Sequence, residues 1–141
     1  MGGGPAKDKK FVNKIMNQIS SGKKVLNIVN DKDGTPTYTH DFAKTVKTLI
    51  ENEYWGLYNC VCGGETSRIE VTQEILKVLR LSDNIEINEV TSEFFKDVYF
   101  AERPPSERLV NKKLCLRNIK VMRDWKVSLS EYLSQYYKDF I

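Results

Sequence analysis

Apolar side chains at helical spacing open the chain. Phe11, Val12, Ile15, Met16 and Ile19 fall on one face of a helix that Asp8 is placed to cap and Gly22 to stop. From Lys24 to Asn30 the pattern changes to a continuous apolar run, Val25-Leu26-Asn27-Ile28-Val29, which reads as a short buried strand. Asp31-Lys32-Asp33-Gly34 is a turn by composition. Thr35-Pro36-Thr37-Tyr38 leaves that turn extended, because the residue before a proline avoids the helical region. Helical spacing resumes from about Thr39 to Asn52 and predicts a second helix that buries Phe42, Val46, Leu49 and Ile50, with Gly56 as its stop.

Leu57-Tyr58-Asn59-Cys60-Val61-Cys62, closed by Gly63-Gly64, suits a strand covered on both faces. Ser67-Arg68-Ile69-Glu70 has the spacing of a capping box and opens a third helix through about Leu81. Ile85 to Val90 is a weaker strand, followed by a short helix carrying Phe94, Phe95 and Val98, and Ala101-Glu102-Arg103-Pro104-Pro105 then forces an irregular, extended stretch. Near the end Asp124 caps a helix whose Trp125, Leu129, Leu133, Tyr136 and Phe140 make a stripe flanked by Val127, Tyr132 and Tyr137. Alternating helices and strands argue for an α/β protein with parallel pairings.

The 141 residues suffice to bury a core. Lys and Arg number 22 against 19 Asp and Glu, a net charge of +3 spread along the chain, which argues against a nucleic-acid partner. No apolar run approaches the length of a membrane span. Three cysteines, Cys60, Cys62 and Cys115, are an odd number with no signal peptide ahead of them, so a reduced, cytoplasmic setting is the expectation. The opening Met-Gly-Gly-Gly-Pro suggests a cloning scar or a fragment boundary.

Several residues are candidates for chemistry. Gly2-Gly3-Gly4 has no strand before it and a proline after it, which disfavours a phosphate loop. None of the seven tyrosines has a Lys four residues later, the helical spacing at which an ammonium lowers a phenol's pKa for proton transfer, so no catalytic residue is assigned. Cys60 and Cys62 read as buried structural thiols and not as metal ligands. His40 beside Asp41 has the composition of an acid–base pair, yet the helix dipole explains Asp41 and surface exposure explains His40. Arg103, Arg108, Lys112 and Lys113 surround a Pro-rich segment and fit either a solvated basic loop or a diphosphate site.

Four stretches, in order, resemble the C-terminal half of dTDP-4-dehydrorhamnose reductases, which are extended short-chain reductases. Gly2 to Phe11 is similar to the loop and helix start after the family's fifth core strand. Asn30 to Ala43 resembles its Asp-x-x-Gly-x-Pro-Thr loop and Asp-[Leu/Phe]-Ala helix start. Gly56-Leu57-Tyr58-Asn59 with Gly64 and Ser67 looks like its Gly-x-Tyr strand and next helix. Ala101-Glu102-Arg103-Pro104, Leu109, Lys112-Lys113-Leu114 and Arg123-Asp124-Trp125 are similar to its Arg-Pro segment and closing Asp-Trp helix. The chain departs from the family at Cys60-Val61-Cys62 and at Val110, where the family carries Asp.

The resemblance implies residues 1–141 as the substrate-binding half of a doubly wound Rossmann-type reductase, with residues 39–81 packing on the sheet of an absent cofactor-binding half. It implies Thr37 and Tyr38 at the sugar pocket, Arg103 facing the diphosphate, and a dTDP-sugar as ligand. NADH or NADPH serves the complete enzyme, and none is expected on this chain alone. A chain lacking its other half is expected to cover the exposed sheet by oligomerising or rearranging. Two relatives share the architecture and stand as alternatives: a non-catalytic regulatory subunit of methionine adenosyltransferase, and nucleotide-sugar epimerases or dehydratases.

Overall fold

The structure is a computed structural model that describes residues 1–98 and 104–140. In chain order the elements are α1 (Phe11–Ser20), β1 (Val25–Val29), α2 (Thr39–Glu51), α3 (Arg68–Val78), β2 (Glu86–Val90), a 3-10 turn at Ser92–Phe95, α4 (Lys112–Leu116), α5 (Trp125–Tyr136) and a closing 3-10 turn at Lys138–Phe140. β1 and β2 pair in parallel, from Val25 opposite Glu86 to Val29 opposite Val90. A parallel pair needs a long crossover, and here it contains the 31–38 loop, α2 and α3. The mixed α/β architecture with parallel pairing is the one the alternation of elements implies.

One core joins the apolar face of α1 (Val12, Ile15, Met16, Ile19), the inner residues of β1 (Leu26, Ile28), α3 (Val71, Ile75, Leu76) and α5 (Trp125, Leu129, Leu133). Gly22 closes α1 at φ +82, and the amide of Lys23 reaches back to the carbonyl of Gln18. That left-handed position is nearly free of cost only for glycine. The capping box forms as expected: Ser67 Oγ accepts from the Glu70 amide at 3.2 Å, and Glu70 Oε2 accepts from the Ser67 amide at 2.7 Å. Asp124 caps α5 by accepting from the Lys126 amide at 2.8 Å. Tyr132 and Tyr137 are buried with the stripe, whereas Val127 is exposed.

Four expectations need correction. Asp8 is not the cap of α1, which begins after Lys10 without a side-chain cap; it is buried, accepting from the Lys10 amide at 2.9 Å and from the Tyr132 hydroxyl at 2.9 Å. α2 buries Asp41 and Thr45, while Phe42 is 44% and Ile50 56% exposed and Val46 and Leu49 are half-buried. It ends at Glu51, and the left-handed Glu53, not Gly56, turns the chain away. Residues 57–62 form no strand, because no ladder partner lies beside them among the described residues; Leu57 is 88% exposed. The short helix expected to carry Phe94, Phe95 and Val98 is a 3-10 turn over Ser92–Phe95 that stops before Val98.

Candidate functional site

The Asp-x-x-Gly-x-Pro-Thr loop is a junction of three segments. Asp33 donates its amide to the Pro105 carbonyl at 2.8 Å and its carbonyl accepts from the Glu107 amide at 3.0 Å, while Gly34 donates to the Thr66 carbonyl at 3.0 Å. Thr35 Oγ1 donates to the Gly64 carbonyl at 2.9 Å. At the head of the loop the Asp31 carboxylate accepts from the amide of Ser92 and from its hydroxyl, the latter at 2.7 Å, and these bonds hold the Asp31 pKa below the ordinary carboxylate range. The polar, proline-interrupted composition of residues 31–37 rules out a helix or strand, so its backbone groups are satisfied by neighbouring segments. Gly64 is required here: it sits at φ +90, and a Cβ would lie 2.8 Å from the Trp125 ring.

After the loop, Tyr38 is buried and its hydroxyl donates to Gln135 Oε1 at 3.1 Å. Its ring meets Tyr132 edge-on at 6.0 Å and His40 at 5.7 Å. Desolvation raises the Tyr38 pKa, with the Glu131 carboxylate adding to it, so this phenol stays protonated. Tyr38, Thr39, His40, Gln135, Tyr136 and Gly3 line an open cleft of about 230 Å³. Thr37 is half-buried and its carbonyl accepts from the N-terminal ammonium at 3.0 Å. Of the three residues assigned to the substrate, Tyr38 thus lines a cleft, Thr37 adjoins it in sequence, and Arg103 lies outside the described residues.

The start of α2 is held by an ion-pair network that periodicity does not reveal. Asp41, 1% exposed, accepts from Arg123 Nε at 3.0 and 3.1 Å, from Arg123 Nη2 at 2.8 Å and from Ser128 Oγ at 2.7 Å. Arg123 Nη1 reaches Glu131 at 2.5 Å, and His40 Nδ1 lies 3.6 Å from the same carboxylate. These bonds raise the Arg123 pKa and depress that of Glu131. Asp41 is therefore the buried end of a bridge from α2 to the segment before α5, and not only a partner of the helix dipole; His40 is exposed, as expected.

The basic cluster separates into different roles. Arg108 is bound to carboxylates, Asp33 at 2.7 Å and Glu65 at 3.1 Å. Lys113 Nζ stands 4.4 Å from the centre of the Tyr58 ring. Neither residue is presented as a free phosphate ligand. Cys62 is buried, Cys60 half-buried and Cys115 exposed, all as free thiols, and burial pushes the pKa of Cys60 and Cys62 up. Among the described residues no group of His, Cys, Asp and Glu side chains is placed to hold a metal, and no helix is long and apolar enough to cross a membrane.

A dinucleotide needs amides at a strand-to-helix turn. The glycines at the start of the chain serve close packing instead: the Gly4 carbonyl accepts from the amides of Lys7 and Asp8, and a Cβ at Gly4 would come within 2.8 Å of the Tyr136 ring. Among the described residues no strand precedes these glycines, so they do not form a strand-to-helix turn of that kind.

A family model described as the RmlD substrate binding domain matches residues 5–138. A dTDP-4-dehydrorhamnose reductase from Clostridium acetobutylicum is similar at a TM-score of 0.82 and 30% identity, over 92% of this chain and 44% of its own. For the enzyme of that name from Yersinia enterocolitica the TM-score is 0.85 at 28% identity, over 96% of this chain and 46% of the other. The one from Bacillus anthracis str. Ames, solved in complex with NADP, shares the fold at a TM-score of 0.83 and 21% identity, over 96% and 45%. The chain thus spans less than half the length of these structures. No curated protein matches it.

Proposed function

The chain belongs to the RmlD substrate binding domain family, and from that premise we propose that it is the sugar-nucleotide-holding half of a dTDP-4-dehydrorhamnose reductase working in the cytoplasm. That reaction delivers a hydride to the 4-keto carbon of dTDP-4-dehydro-L-rhamnose and yields dTDP-L-rhamnose, for nucleotide-sugar and cell-surface polysaccharide synthesis. NADH or NADPH, held by a separate cofactor-binding half, supplies the hydride.

The observation that carries this reading is the loop at 31–38, which is fastened on both sides and delivers Tyr38 to the wall of a polar cleft. Within it, Thr37 and Tyr38 border the sugar, and Tyr38, kept neutral by burial and tied to Gln135, acts by shape and orientation. Arg103 pairs with the diphosphate, where a planar guanidinium suits two phosphate oxygens. It stands two positions before Pro105, whose carbonyl is bonded to the loop. The cofactor-binding half packs on residues 39–81, whose exposed Phe42, Ile50 and Leu57 await a cover.

The test is fluorescence titration of the purified chain with NADPH, then an assay for keto-sugar reduction before and after adding the separately expressed cofactor-binding half. Activity is expected only on mixing. In the mixture Arg103→Ala weakens binding of the dTDP-sugar by roughly 1.5–3 kcal/mol, the range for hydrogen bonds to charged groups. Tight NADPH binding by the chain alone would overturn the division of labour, and an unchanged dissociation constant would remove Arg103 from the diphosphate.

A further inference from the structure

We infer that Arg108 is a positioning residue of the sugar-nucleotide site, stapling the 31–37 loop to the two segments packed against it. This role presupposes that the loop walls such a site. Arg108 donates from Nη2 to Asp33 Oδ2 at 2.7 Å, from Nη1 to Glu65 Oε2 at 3.1 Å and from Nε to Ser106 Oγ at 3.3 Å. One guanidinium thus spans the loop, the stretch ahead of α3 and its own segment. Backbone bonds fix Asp33 and Gly34, but Pro36 has no amide to donate, and the following turn depends on how firmly its neighbours are held. A rigid planar fork with donors in several directions suits that task, whereas a lysine presents one point charge.

The charges make the assignment more specific. Asp33 and Glu65 face one cation from different segments, and without it two carboxylates are left converging on the same space. The side chains of Arg108 and Asp33 are 41% and 37% exposed, so water screens these pairs and each contributes little to global stability. Loss of the staple therefore moves the loop without unfolding the chain. A positioning role is separable from a structural one on that ground: affinity changes and the melting temperature does not.

The experiment uses the 141-residue chain, with dTDP as the probe in a two-dimensional amide NMR titration and thermal unfolding followed by circular dichroism. Arg108→Ala is expected to raise the dTDP dissociation constant about tenfold, the scale of one charge-assisted hydrogen bond. Arg108→Lys should raise it less, with the melting temperature of both variants within a few degrees of the parent and the amides of Gly34 and Thr35 displaced. Lys47→Ala, which breaks an exposed pair with Glu51, serves as the control and changes nothing. Unaltered dTDP affinity in Arg108→Ala overturns the assignment, as does a collapse of the melting temperature that Arg108→Lys shares. If the parent chain binds no dTDP, the sugar-nucleotide reading falls instead. The staple is then judged by the Gly34 and Thr35 amides, which must shift in Arg108→Ala for it to stand.

Discussion

Replacing Arg123 by Met keeps much of the aliphatic stem and removes the guanidinium, leaving Asp41 with Ser128 as its remaining side-chain donor. The Asp41 carboxylate is 1% exposed and faces Glu131 across the vacated position. Breaking a buried pair from one side costs roughly 3–5 kcal/mol, since a charge is left without its counter-ion. Arg123 itself is 33% exposed, so water can enter the gap, which lowers the expectation to about 2–3 kcal/mol. For a urea slope of about 2 kcal/mol/M, the midpoint of unfolding should fall by roughly 1–1.5 M with the slope unchanged. Adding Asp41→Asn should return part of the loss, because the amide needs no counter-ion and still accepts from Ser128. A midpoint shift below about 0.3 M would refute the reasoning, for it would mean that the bridge is as dispensable as a surface pair.

Two further outcomes are expected. Arg123 holds the Glu131 carboxyl, the Ser92 hydroxyl the Asp31 carboxyl, and the Ser67 amide the Glu70 carboxyl below their ordinary values. Their contribution is complete above about pH 4.5 and is lost as pH falls through the depressed folded values; a melting temperature that rises below pH 4 contradicts this. Phe42→Ser with Ile50→Ser and Leu57→Ser should reduce self-association of the chain in sedimentation velocity, and a parent chain that is already monomeric at high concentration counts against the exposed face as an interface.

What the sequence made legible was local. α3 was readable because its cap, Ser67 to Glu70, is a four-residue pattern, and α1 and α5 because their apolar faces repeat within a few turns. The fate of residues 57–62 was not, since an apolar run states a preference for burial but a strand needs a neighbour that the run cannot name. α2 deceived for a related reason: its Phe42 and Ile50 were read as inward by periodicity, whereas Arg123, 82 positions away, draws Asp41 inward instead. The Asp-x-x-Gly-x-Pro-Thr loop was marked by its composition, and its fastening was invisible. The composition around Arg108 fits either a solvated loop or a diphosphate site, and the carboxylates that bind it, 75 and 43 positions distant, leave no mark on the local pattern.

The two hydroxyl bonds from α5 to the start of the chain have a consequence for the order of events during synthesis. Tyr132 to Asp8 and Tyr137 to Asn13 each span 124 positions. At about 5–20 residues per second, roughly 6–25 s separate the appearance of Asp8 from that of its partner. For roughly the first half of that interval the apolar face of α1 lacks α3, and for nearly all of it α5, and contacts of such separation close slowly even after release. Tyr132 and Tyr137 thus complete the packing of α1: a premature stop just before Tyr132 would leave Val12, Ile15, Met16 and Ile19 with half a core and expose α1 to chaperones and proteases.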